Sequence, residues 1–414
     1  MTRTRIAIGL LLGAMHAGAA FAQSSATVVV SPDGPVRSIA EAVRLAPAGA
    51  RVVVRAGTYR EHGIAIDRRL TLEGDGRPVV EALDAASLIH VTADDVTIRG
   101  LVLANIPPSH VDDRAAVTLE HVRRTVISDL EIRNAPYGVL ATDASDGLIV
   151  RNTIRGGKRA PLGNGIHLWS SRRMTVADNV VIDHRDGLYF EFVQDATIER
   201  NRSEGNARYG LHFMFSHGCA YRENRFVRNG AGVAVMYTQR VEMERNVFDS
   251  NRGPTAYGLL LKDIGDSRLS GNQFLGNTVG LLIEGGGRLT IAGNRFAANG
   301  WAVKLMANSA GNRFEGNSFE GNSFDMTTNS RGTSAVVVGN WWDRYDGYDL
   351  DRDGRGDVAF RPVRLFALLV AQQPPAVILM RSAFVDLLDA AERALPVLTP
   401  ETLVDTAPLM ARPR

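Results

Sequence analysis

NRSEGNARYGLHFMFSHGCAYREN, residues 201–224, decides how the chain folds. It opens on Asn201 and closes on Asn224, and Gly210 begins a run in which Leu211 and Phe213 alternate with His212 and Met214. Alternation of apolar and polar residues with period two is the signature of a strand with one buried face. The same arrangement recurs on both sides. Asn152, Asn179, Asn201, Asn224, Asn246, Asn272, Asn294, Asn317 and Asn340 follow one another at intervals of 27, 22, 23, 22, 26, 22, 23 and 23 residues. A fixed period in this range marks a solenoid, whose units bury their apolar faces only by stacking on one another.

Each repeat holds a short β-rich run before the asparagine, such as Ala196–Ile198 or Val241–Met243, and a glycine-led run after it, such as Gly187–Phe192 or Gly232–Tyr237. Such a unit is too short for paired helices and lacks leucine-rich spacing. The expected fold is therefore all-β, a right-handed parallel β-helix in which the asparagines form a stacked amide ladder at one corner. Extended upstream through Asp129, Gly100 and Gly74, the register predicts about twelve coils, roughly 55–60 Å of rod at ~4.8 Å per coil.

Composition fits one elongated body. The 414 residues are 45% hydrophobic, and the 41 glycines suit a chain that turns often. The formal charge is +2, with arginines scattered among acids, so no nucleic-acid partner is expected. Arg3 and Arg5, the apolar stretch Ile6–Met15 and Ala20-Phe21-Ala22 form a secretory signal peptide, 1–22. Ten apolar residues are too few to span a bilayer, which places the mature chain in a periplasm. With Cys219 as the lone cysteine, no internal disulfide is available.

The expected organisation continues with an N-terminal cap over 23–51, where Ser38-Ile-Ala-Glu41 is a capping box opening a short helix. The β-helix covers 52–345, an acidic loop 346–362 and a non-repeat segment 363–414. That last segment reads as a cap or as a docking element. Its aliphatic surface, with Leu365, Phe366, Leu369, Phe384, Leu387 and Leu388, exceeds what a cap requires and favours docking on a partner.

Three intervals are stretched at one corner, giving loops Ala104–Arg114, Arg155–Gly163 and Ser250–Ala256 along one edge of the rod. Insertions on one side of a solenoid often mark its binding face. On the strands beside them the outward positions are His167 and Trp169, Tyr189 and Glu191, His212 and Met214, Ala234 and Met236. Imidazole with thioether suits copper, above all Cu(I), and His212, Met214, Met236, Glu191 and His167 are the expected ligand set. Met and Tyr packed beneath a loop are the competing reading. Cys219 reads as a small buried hydrophobe, and Asp183-His184-Arg185-Asp186 as a solvated corner. Asp349, Asp351, Asp353 and Asp357 alternate ahead of and around Gly354, a spacing that permits calcium, although Phe360 stands where an EF-hand needs glutamate.

The blocks Gly163–Trp169, Asp186–Glu191, Tyr209–His217, Gly339–Tyr345 with its acidic loop, and Pro374 through Pro400 resemble the NosD family, β-helix accessory proteins of nitrous oxide reductase maturation. The resemblance covers nearly the whole mature chain. It implies a periplasmic protein, a partner ABC transporter with separate permease and ATPase chains, transient copper, and service to the copper–sulfide centre of nitrous oxide reductase, with a copper chaperone as a further partner. No P-loop is present, in keeping with that division of labour. The expectation is a non-enzymatic scaffold. A uronate epimerase or lyase using Asp183, His184 and Tyr189 is the alternative, and an adhesion module a third.

Overall fold

The computed structural model describes residues 26–83, 87–157, 163–330, 332, 334–380, 382–395, 399 and 401–413. The signal-peptide reading lies outside them. Each coil contributes one strand to each of three parallel sheets, which hold 14, 13 and 12 strands. In the coil that begins at residue 197, Thr197–Glu199 belongs to the first sheet, Arg202–Glu204 to the second and Tyr209–Met214 to the third. The parallel β-helix expected from the periodicity is the fold, with the first sheet already begun by Thr27–Val30 paired to Ala50–Arg55.

The first corner is the asparagine ladder. The Nδ2 of Asn201 donates to Oδ1 of Asn224 at 3.0 Å, and the Asn201 backbone N–H donates to the same oxygen at 3.0 Å. The pattern repeats from Asn152 to Asn340, all of them buried. The residue before each asparagine is left-handed. Arg151, Asp178, Arg200, Glu223 and Arg245 adopt φ between 52° and 57°, whereas Gly271, Gly293, Gly316 and Gly339 fill the same place further along. That explains why the local motif changes from R-N to G-N along the rod.

A second ladder stands at the next corner: Asn206, Asn229, Asn251, Asn277, Asn299 and Asn322 bond in sequence, beginning at 2.8 Å between Asn206 and Asn229. Inside the rod, Phe226, Phe248, Phe274, Phe296, Phe319, Trp342 and Phe360 form one stack with centroids 4.1–5.6 Å apart. Phe360 thus closes an aromatic column.

Helix α1 (Ile39–Leu45) covers the N-terminal end, burying Ile39, Ala42 and Val43. Ser38 caps it by accepting from the Glu41 N–H at 3.2 Å, and Glu61 of the adjoining coil accepts from the Ile39 N–H at 2.6 Å. The other end is closed by helices α2 (Leu365–Gln372) and α3 (Ala383–Ala394) and by the tail that follows. Phe366, Ala367 and Val370 of α2 pack with Val385 of α3 onto Phe324 of the rod. Asp405, fully buried, receives the backbone N–H of Gly339 and Asn340, the Asn340 amide and the Trp342 indole N–H, all at 2.9–3.0 Å. An acceptor-only carboxylate completes a ladder whose every rung needs an acceptor beyond it.

Candidate functional site

The three inserted loops all join a second-sheet strand to a third-sheet strand, so they stand along one edge of the third sheet. Residues 158–162 of the middle loop lie outside the described ones. The third sheet turns Leu188, Phe190, Leu211 and Phe213 into the core, each fully buried. Its outer face presents two columns set by parallel register. One runs Leu140, His167, Tyr189, His212, Ala234, Leu260, Leu282 and Lys304. The other runs Trp169, Glu191, Met214, Met236, Lys262 and Glu284.

The register places Met214 directly beside Met236, with Glu191 on the coil before. His212 shares a strand with Met214 but not a column. His167 stands two coils from His212, with the Tyr189 ring between them at centroid distances of 4.7 and 5.2 Å. The five expected copper ligands are therefore not one shell. Met236 also packs against Tyr257 and Leu260, as the reading of packed methionine and tyrosine anticipates.

Beneath the first column lies a polar layer absent from the sequence reading. Asp186, fully buried, accepts from Arg208 Nε at 2.9 Å and from the Tyr209 N–H at 3.2 Å. Arg208 reaches past it to His212 Nδ1 at 3.4 Å. Arg185 Nη2 donates to Asn164 Oδ1 at 3.1 Å, which turns the Asn164 amide nitrogen toward His167 Nδ1 at 3.3 Å. Each imidazole thus meets a donor at Nδ1, so its proton resides on Nε2. Burial holds both rings neutral, with pKa values of about 4. His212 is 7% exposed, and its Nε2 has no partner. Tyr189, raised to about 12 by burial and by its bond to Glu191, donates to that carboxylate at 2.9 Å. The first loop joins the layer where the Asp113 carboxylate meets the Tyr137 hydroxyl.

The Asp183–Asp186 corner is solvated at Asp183 and Arg185, as its sequence reading expects, but not at His184 and Asp186. His184 is enclosed, its backbone N–H heads the second ladder by donating to Asn206 at 3.0 Å, and burial lowers its pKa to about 4. Asp183 pairs outside with Arg155 at 3.1 Å, so Asp183, His184 and Tyr189 do not converge as an acid–base group. Cys219 is buried as expected, its thiol pushed up to about 11 by burial. In the acidic loop, Asp349, Asp351 and Asp353 bring oxygens within 4.8 Å of one another. Asp357 is spent on the Leu350 N–H at 2.7 Å, and Asp349 on the N–H groups of Asp353 and Gly354. Among the described residues this is the one cluster of three histidine, cysteine or carboxylate groups close enough to share an ion.

The residues named for docking divide. Phe366 is buried at the rod's end, Leu369 and Leu388 pack against the same cluster, and Leu365 lies at the first turn of α2, half-buried. Phe384 and Leu387, three residues apart on α3, are 51% and 71% exposed, and Ile378 ahead of the helix is exposed too. The segment after Pro362 therefore caps the rod and also leaves large apolar side chains uncovered.

The fold is a capped parallel β-helix with inserted loops beside one sheet, whose outer face carries the imidazoles, thioethers and buried carboxylate. The family described as "Periplasmic copper-binding protein (NosD)" matches residues 89–210 and 150–347. A Stutzerimonas stutzeri protein named "Probable ABC transporter binding protein NosD" is 30% identical over all of this chain and 95% of its own length. A Pseudomonas aeruginosa protein of the same name is 31% identical over 86% of this chain and 87% of its own. The chain belongs to the NosD family. Among solved structures, the A-module of a mannuronan C-5 epimerase from Azotobacter vinelandii shares the fold, with TM-score 0.53 and 17% identity over 76% of this chain and 90% of that one.

Proposed function

We propose that this protein is a non-enzymatic periplasmic scaffold that docks on an ABC transporter and passes copper toward the copper–sulfide centre of nitrous oxide reductase. The relatives' name and the family's description support the transporter and copper parts of that reading. The observation that carries it is the registered pair Met214 and Met236, two thioethers on neighbouring coils beside Glu191. Thioether sulfur suits Cu(I), and a site with few strong donors suits a cargo that must leave. His212 joins this set only in its other tautomer, with Nδ1–H facing Arg208. Copper capture through Nε2 would thus displace a proton and loosen that contact.

Anaerobic Cu(I) titration against a competing chelator tests the assignment. Met214→Ala with Met236→Ala should weaken binding by at least about tenfold, about 1.4 kcal/mol. Unchanged affinity with the β-rich circular dichroism retained would remove these ligands. Docking would use the exposed side chains of Ile378, Phe384 and Leu387. Phe384→Ser with Leu387→Ser should abolish co-purification with a transporter permease while leaving thermal stability nearly unchanged. A calcium ion held by Asp349, Asp351 and Asp353 is a separate proposal. It requires a thermal midpoint that rises with calcium and loses that response in Asp351→Asn.

A further inference from the structure

We propose that the outer face around His212 and Arg185 binds a small oxygen-bearing anion, a carboxylate or a tetrahedral oxyanion. The inference concerns the tautomer in which His212 takes no part in copper binding and rests on an imbalance of donors. His212 Nε2 and Arg185 Nε are both buried without a hydrogen-bond partner. Both are donors, because Arg208 occupies Nδ1 of His212 and a guanidinium has nothing but N–H to offer. An unpaired buried donor costs about 1–3 kcal/mol, and these two belong to one cluster linked through Arg208 and Asp186, where an acceptor is missing.

The surroundings favour an acceptor that carries charge. Arg185 and Arg208 flank Asp186, whose carboxylate lies 3.7 Å from Arg185 Nε and bonds directly to Arg208. The trio sums to one positive charge. Of the acids around it, Asp113 is engaged with the Tyr137 hydroxyl and Glu191 with the Tyr189 hydroxyl. The Arg185 fork is already oriented by its bond to Asn164, itself fully buried, so a guanidinium whose Nε–H makes no hydrogen bond is held in place before a ligand arrives. The flanking rings of Tyr189 and Tyr209, at 5.2 and 4.8 Å from His212, reduce the dielectric around that N–H.

Titration of the full chain with acetate and with sulfate, at constant ionic strength made up with chloride, tests the site. Isothermal calorimetry would give the affinity, and selectively 15N-labelled histidine would report the His212 Nε2–H. At least one anion should saturate and move that signal, and the one that does separates a planar carboxylate from a tetrahedral oxyanion. Arg185→Met and His212→Phe should each weaken binding by about tenfold or more, as expected for a charge-assisted bond. His212→Gln, which keeps an N–H near the same place, should retain most of the affinity. Affinities equal in all variants, or an Nε2–H signal indifferent to both anions because the Tyr189 ring already satisfies it, would overturn the proposal.

Discussion

The outer face of the third sheet is two surfaces joined at Ala234. On the N-terminal side its first column reads His167, Tyr189, His212 and rests on a buried Asp186 with two arginines. On the other side it reads Leu260, Leu282, Lys304 and packs with Met236, Tyr257 and Trp301 into an apolar cluster. Strand register and the first ladder continue through both halves, whereas the second ladder starts at His184 and the aromatic column at Phe226, so the donor half lies where these two supports begin. In the apolar half, the clustered side chains satisfy one another by contact, and Lys262 pairs beside them with Glu284 at 3.8 Å. In the donor half a buried charge, two constrained imidazoles and unpaired N–H groups add cost without adding apolar burial.

The comparison breaks most sharply at Asp186. Asp186→Ala should destabilise the rod by up to about 3 kcal/mol, because it leaves the Tyr209 N–H without its acceptor at a fully buried position and removes the partner of the half-exposed Arg208 guanidinium. Urea denaturation should show a lower midpoint with unchanged slope. A loss below about 1 kcal/mol would mean that water replaces the carboxylate at Arg208 and at the Tyr209 N–H. In the apolar half, Leu260→Ala should cost about 2 kcal/mol by loss of packing against Tyr257 and Met236, with no change in histidine titration.

Acid separates the halves in a different way. Burial lowers His167, His184 and His212 to about 4, below the ~6.5 of an exposed imidazole. Between these values the unfolded chain binds protons that the folded chain refuses, so these groups make stability rise with pH from about 4 to ~6.5 and level off above. At pH ~5 unfolding should take up close to one proton for each of the three rings. His212→Phe should flatten the slope by about a third, measured from denaturation midpoints across the range. A slope unchanged by that substitution would mean that His212 is solvated in the folded state.

Much of the rod was legible because buried asparagines recur at a constrained spacing, and nothing but a ladder needs that. The second ladder has the same spacing, yet it starts on a histidine main chain at His184, and its asparagines sit in turn segments where asparagine is commonplace. Alternation correctly put His167, Tyr189 and His212 outward, since period two is a property of one strand. It could not show that Arg208 covers Nδ1 of His212, because that contact depends on a side chain bent across Asp186. The end of the first ladder was hidden for a related reason. Asp405 arrives 65 residues after Asn340, outside every repeat, and without a period the chain carries no signal of which acid closes the column.

The smallest effect concerns the one charge in the first column of the apolar half. Lys304 places its ammonium 4.0 Å from the centre of the Trp301 ring, a contact worth about 0.5–1 kcal/mol or more when desolvated. Burial acts in the opposite direction, lowering the lysine pKa because the charged form loses water. The neighbouring Leu282 and Trp301 belong to the cluster, so a linear apolar side chain in place of lysine would keep the contact with the ring and shed the desolvation cost. Lys304→Met should therefore be neutral or stabilising by up to about 1 kcal/mol at neutral pH. Thermal midpoints of the two proteins would measure it. A loss larger than that would show that the ring's attraction outweighs burial, and that even the apolar half of this face is organised around a cation.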